Sequence, residues 1–172
     1  MATNAQISKG GIGAAIPYRG TTVFHSGGVA PTTTTTGTDT TPVTTETYLV
    51  EVFVPINGLY TGIALLNGSA VAGNVTAILY DSNGAPMAQS ASTAQSGTAA
   101  YQSFAFSTPQ QLRGPAEYII GFQFNNTGAR FRSHILGVFG ASKKTGETYG
   151  TATAITVPTT FTTGQGPIAS LY

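Results

Sequence analysis

The chain of 172 residues has no cysteine and no tryptophan, only 2 histidines, and charged side chains at just 8% of positions. Without cysteine there is no disulfide framework, thiol nucleophile or thiolate metal site. Without tryptophan the ring best suited to stacking on a sugar is missing. Seven Lys+Arg against six Asp+Glu leave a net charge of +1, too weak a field to gather nucleic acid. No stretch approaches the roughly 18 apolar residues of a membrane-spanning helix. The segment Met1 to Lys9 has no charged region followed by an apolar one, so neither export nor insertion is expected from a familiar signal. The Asn-x-Ser/Thr sequons at Asn67, Asn74 and Asn125 read as chance matches in a threonine-rich chain.

Helical periodicity is missing as well. Apolar residues never recur at i, i+3, i+4 and i+7 through three turns, and 9 Pro with 22 Gly punctuate the sequence every few residues. Small residues are what is abundant: Thr (29), Gly (22), Ala (22) and Ser (12) fill about half of the 172 positions. The large aliphatic and phenyl side chains concentrate between Tyr48 and Phe139, which hold 26 of the 38 Leu, Ile, Val and Phe residues. This distribution places a domain at 48–139, flanked by arms at 1–47 and 140–172 too poor in such groups to offset an ordering cost of about 1–2 kcal/mol per residue by themselves. Eleven threonines in the 16 positions Thr32 to Thr47 mark a linker, expected to be an extended segment pinned along another subunit.

Seven strands are expected within the middle segment. Tyr48–Pro55 is β-branched and aromatic, Leu59–Leu66 follows Asn57-Gly58, and Asn74–Asp81 leads through Ser82-Asn83-Gly84 into Pro86–Ser90. Each Asn-Gly step is a strong hairpin signal. Ala100–Ser107, Ala116–Asn125 and Arg130–Leu136 complete the set. Period-two patterning names the inward residues: Val50, Val52 and Val54; Val75, Ala77 and Leu79 or their alternates Ile78 and Tyr80; Phe104 and Phe106; Ile120, Phe122 and Phe124; Phe131, Ser133 and Ile135. Short strands at this spacing predict an all-β, antiparallel two-sheet sandwich, jelly-roll-like, with extended N- and C-terminal arms.

Catalysis needs converging groups, and the inventory of His25, His134, Asp39, Asp81, Glu46, Glu51, Glu117 and Glu147 offers no paired carboxylates. No G-x-S-x-G is present. Gly10-Gly-Ile-Gly13 is followed by Ile16 where a dinucleotide loop needs its third glycine, and Lys143-Lys144-Thr145 lacks the glycines of a phosphate loop. No catalytic, cofactor or metal residues are therefore expected. The most distinctive constellation is Arg130, Arg132 and His134, alternating so as to share one strand face, with Lys143 and Lys144 close behind. It reads either as an edge strand using charge against sheet-to-sheet aggregation or as a docking face for acidic surfaces. Ile12, Ile16, Tyr18, Val23 and Phe24 are the candidate arm contacts. Tyr60, Tyr80, Tyr101, Tyr118 and Tyr149 could serve a rival sugar-binding function, although tyrosines within strands more often pack half-buried.

The stretches Leu79-Tyr-Asp-Ser-Asn-Gly84, Phe104-Ala-Phe-Ser-Thr-Pro109 and Leu112-Arg-Gly-Pro-Ala-Glu-Tyr118 resemble the jelly-roll modules of bacteriophage virion proteins, such as head fibres and capsid decoration proteins. The resemblance covers roughly Tyr48 to Arg132. It implies a non-enzymatic virion protein whose partners are other copies of itself and proteins such as the major capsid protein, with no nucleic acid and no membrane. The rival reading is a carbohydrate- or receptor-binding module of a fibre or adhesin, with a host surface glycan as ligand.

Overall fold

A computed structural model describes residues 24–26, 35–137 and 139–172. Ile12, Ile16, Tyr18 and Val23 lie outside the described residues. The described residues form strands β1 (Phe24–His25), β2 (Thr38–Thr40), β3 (Glu46–Val54), β4 (Gly58–Leu66), β5 (Asn74–Tyr80), β6 (Pro86–Gln89), β7 (Thr93–Ala94), β8 (Tyr101–Leu112), β9 (Ala116–Phe124), β10 (Phe131–Ser133), β11 (Ala141–Thr145) and β12 (Ala169–Leu171). No helix occurs among them.

Followed through its pairings, the chain is one long antiparallel hairpin rolled on itself. β1 pairs β12, β3 pairs β9, β4 pairs β8 and β5 pairs β6. Rolling puts β1-β12-β4-β8 in a four-stranded sheet and β11-β3-β9-β5-β6 in a six-stranded one, where β7 also pairs β5. That order is a jelly roll, with β11 added at the outer edge of the second sheet and the small pair β10-β2 set apart.

The tip of the roll is Asp81–Ala85, as Asn83-Gly84 predicts. The Asp81 carboxylate accepts the amides of Asn83 (2.9 Å) and Ala85 (2.8 Å). Gly84 takes a φ of 83°, and a Cβ there would lie 2.3 Å from the Ile155 carbonyl oxygen, so glycine is required twice over. Asn57-Gly58, by contrast, is not a hairpin. It carries the chain from β3 in one sheet to β4 in the other. Gly58 is not among the glycines at positive φ that a two-residue turn would need. The Asn57 side chain instead accepts the Gly114 amide at 2.9 Å, tying this crossover to the neighbouring one between β8 and β9.

Between the sheets lie the expected inward residues. Val50, Val52, Val54, Val75, Ala77, Leu79, Phe104, Phe106, Ile120, Phe122 and Phe124 are all buried in one cluster with Ile63 and Leu65. Phe104 and Phe122 meet edge to face across the sheets, centroids 6.0 Å apart, and Phe131 stacks on Phe124 at 5.2 Å. Each buried phenyl contributes about 1.5–3 kcal/mol of transfer free energy. Ile135 departs from the expectation: β10 ends at Ser133, and Ile135 is 53% exposed.

Both alternates on β5 are buried because the six-stranded sheet is covered on its outer face too. Leu49, Ile78, Tyr80 and Ile119 form a second cluster with Ile155, Ala152 and Val157. The cover is the segment 151–160, a strap bonded to the roll tip (Ile155 N to Gly84 O, 2.9 Å) and to β11 (Ala141 N to Thr160 O, 3.0 Å). Residues 140–172, expected as an arm, thus supply a strand to each sheet and the strap between them. On the N-terminal side Thr38–Thr40 pairs β10, and Phe24–His25 pairs β12 of the same chain rather than a neighbour. Composition misjudged these segments because they are ordered by backbone pairing against neighbours that provide the bulk.

Candidate functional site

Of the five candidate docking residues, Arg130 and Arg132 both act on Asp39, while His134, Lys143 and Lys144 have other partners. Arg130 precedes β10 and donates from Nη1 to the carbonyls of Thr127 (3.0 Å) and Ala129 (2.7 Å). Arg132, on β10, stands 3.9 Å from the Asp39 carboxylate of β2. Asp39 also accepts the Ser69 amide (2.9 Å) and hydroxyl. Burial alone would raise the Asp39 pKa, but the Ser69 bonds and the charges of Arg132 and Arg130 together bring it below the usual value.

His134 lies beyond the end of β10. Its Nε2 is 2.9 Å from Ser26 Oγ, and its ring meets Phe139 edge to face at 4.8 Å. The Ser26 hydroxyl also reaches the Pro167 carbonyl oxygen (3.0 Å) and accepts the Ala169 amide (3.0 Å). Burial first, and the neighbouring His25 second, push the His134 pKa down to about 4. Burial also lowers that of His25, whose Nδ1 is buried without a partner. Ser26, beside His134, is 1% exposed. The pair is a clasp that joins β1, the end of β10 and the approach to β12. Nothing local in the sequence announces Ser26, because it meets His134 across 108 residues.

Lys143 and Lys144 lie on β11, at the edge of the six-stranded sheet. Lys143 pairs Glu46 at 2.6 Å, and Glu46 also accepts the Tyr48 hydroxyl at 2.6 Å. Lys144 pairs the buried Glu147 at 2.7 Å and donates to Thr153 Oγ1 (2.6 Å), the residue that anchors the strap. β11 is an edge strand, but the charge of both its lysines is taken up by carboxylates of the same chain. Among the described residues no cluster of three or more His, Asp or Glu could hold a metal ion. Of the five candidate sugar-stacking tyrosines, Tyr60, Tyr80 and Tyr118 are buried, Tyr149 bonds Ser92 at 2.8 Å, and Tyr101 is 39% exposed.

The feature of β11 that sequence reading missed is its backbone. Gly140 accepts the Glu51 amide (2.9 Å), while Ala141 turns outward, giving its N–H to Thr160 and taking that of Thr162 (2.8 Å). In an antiparallel ladder the direction alternates residue by residue. Ser142 and Lys144 therefore bond β3, and Lys143 and Thr145 point their N–H and C=O groups away from the sheet. The strap caps Ala141 alone and then diverges, leaving a groove of about 580 Å³ between Ser142–Thr145 and residues 154–160. No protein-family model, curated protein or solved structure matches the chain.

Proposed function

We propose that the chain is a non-enzymatic structural component of a phage virion, a capsid decoration or head-fibre protein that works by burying surface against other copies of itself and against proteins such as the major capsid protein. The observation that carries the reading is the open edge at Lys143 and Thr145, in a chain where Arg130, Arg132, Lys143 and Lys144 already have partners of their own. What such a surface offers a neighbour is unpaired backbone, and extended segments bind by adding to it. The resemblance of the segments around Leu79–Gly84, Phe104–Pro109 and Leu112–Tyr118 to phage jelly-roll modules supplies the setting. Electron cryomicroscopy of purified particles is the test. The expected result is this sandwich seated at regular positions on the particle, with density joining it to neighbours. Particles that lack the chain, or hydrolytic activity abolished by His134→Ala, would overturn the reading. A second reading, glycan binding, is favoured by the exposure of Tyr101 at the start of edge strand β8, and glycan-array binding lost in Tyr101→Ala would establish it instead.

A further inference from the structure

We propose that the outward edge of β11 is the docking site for the first 23 residues of a second copy, added as an extended strand in the groove beneath the strap. The proposal rests on the assembly role argued above and gives it a specific contact. The edge has the polarity it needs, because Lys143 and Thr145 present donor and acceptor groups that find no partner in the β3 ladder. Sheet edges are usually protected by lysine charge, but here both ammonium groups are already paired, with Glu46 and Glu147, so the charge that would repel an incoming strand is cancelled.

Position and charge point to the same occupant. β1 packs beside β3, and β11 is the next strand on that side of the six-stranded sheet. Phe24, at the start of β1, therefore stands on the side of the fold where the edge is open. Twenty-three residues extended at roughly 3.3 Å each reach about 75 Å, ample to cross to an adjacent copy. The segment carries Lys9 and Arg19 and no carboxylate, while Glu51 lines the continuation of the groove with Phe139 and Gly140. Its Thr21-Thr22-Val23 run and its isoleucines Ile7, Ile12 and Ile16 suit strand addition.

Because the chain has no cysteine, Ser8→Cys gives a single site for a nitroxide label. Spin-labelled chain at natural isotope abundance is mixed with ¹⁵N-labelled unmodified chain, and the ¹⁵N amides are read. The expected result is loss of the Lys143 and Thr145 amide signals in the mixture, restored when the nitroxide is reduced. In parallel, Thr145→Pro removes only an outward N–H and leaves the bonds of Ser142 and Lys144 to β3 in place. This variant should melt as the parent does while losing the intermolecular broadening at Lys143 and sedimenting at lower mass. Broadening seen only when label and ¹⁵N share one molecule would show that the chain's own segment fills the edge, and would overturn the proposal. Oligomers that persist without broadening, and in Thr145→Pro, would place the contact elsewhere and leave the assembly role standing. A full-length chain that is monomeric at every concentration and shows no broadening would remove self-assembly together with the docking site.

Discussion

Between the two sheets, large side chains do the burying: Phe104, Phe122, Phe124 and Phe131 meet ring against ring over a bed of valines and isoleucines. On the outer face of the six-stranded sheet the strap has only Ile155 and Val157 as large apolar groups. It is held instead by polar contacts. Gln123 donates to the Thr151 carbonyl (3.1 Å) and accepts the Gly150 amide (2.8 Å), and Glu147 accepts Thr153 (2.8 Å) beside Lys144. The interior tolerates little change of volume, whereas the strap depends on a few anchors. Large apolar residues therefore mark where a core lies, but they do not bound the part of the chain that is ordered.

The contrast is broken most directly inside. Phe122→Ala should cost about 3–5 kcal/mol in denaturant unfolding; a loss under 1 kcal/mol would mean that the sheets do not pack through this ring. Gly84→Ala should cost about 1–3 kcal/mol, because it places a side chain at positive φ and against the Ile155 carbonyl. Strain there acts on roll tip and strap together, so both protease resistance near residue 155 and the melting temperature should fall. Glu147→Ala should have a more local effect, about 1–3 kcal/mol from the unpaired Lys144 and Thr153, read as early cleavage within 151–160 while the aromatic near-ultraviolet signal of the interior persists. Simultaneous loss of both signals would show that strap and interior are one cooperative unit.

Acid should act at the clasp. Both histidines have folded pKa values below the ordinary 6.5, His134 at about 4, so between those limits the unfolded chain binds more protons than the folded one. Stability is then complete above about pH 6.5 and declines as pH falls toward 4, a loss that His134→Phe should reduce. The smallest effect is expected at Leu136→Ser, since this side chain is 81% exposed and its replacement should change stability by no more than about 0.5 kcal/mol.

What could be read in the sequence were features encoded locally. Alternation from Val50 through Phe124 identified the interior, and Asn83-Gly84 identified the roll tip, because a side-chain period and a φ preference are carried by adjacent residues. The identical dipeptide at Asn57-Gly58 misled, since whether a turn joins partners or crosses between sheets depends on what β3 and β4 find elsewhere. Residues 140–172 were illegible for a related reason: β12 is Ala-Ser-Leu, and its order comes from lying between β1 and β4. Arg130 and Arg132 both act on Asp39, but the strand stops at Ser133 and His134 beyond it turns to Ser26 and Phe139. The open edge of β11 has no side-chain signature at all.

The position of β12 has a kinetic consequence. It is an interior strand of the four-stranded sheet, yet the amide of Ala169 is fastened to a serine 143 residues earlier. Until that strand arrives, β1 has no ladder partner and β4 presents an unpaired side carrying Ile63, Ala64 and Leu65. Closing so long a loop is slow, and a chain waiting with a bare apolar strand is exposed to pairing with its neighbours. Refolding should therefore be slow and yield should fall as concentration rises, with aggregation competing at the step where the last strand slots between the first and the fourth.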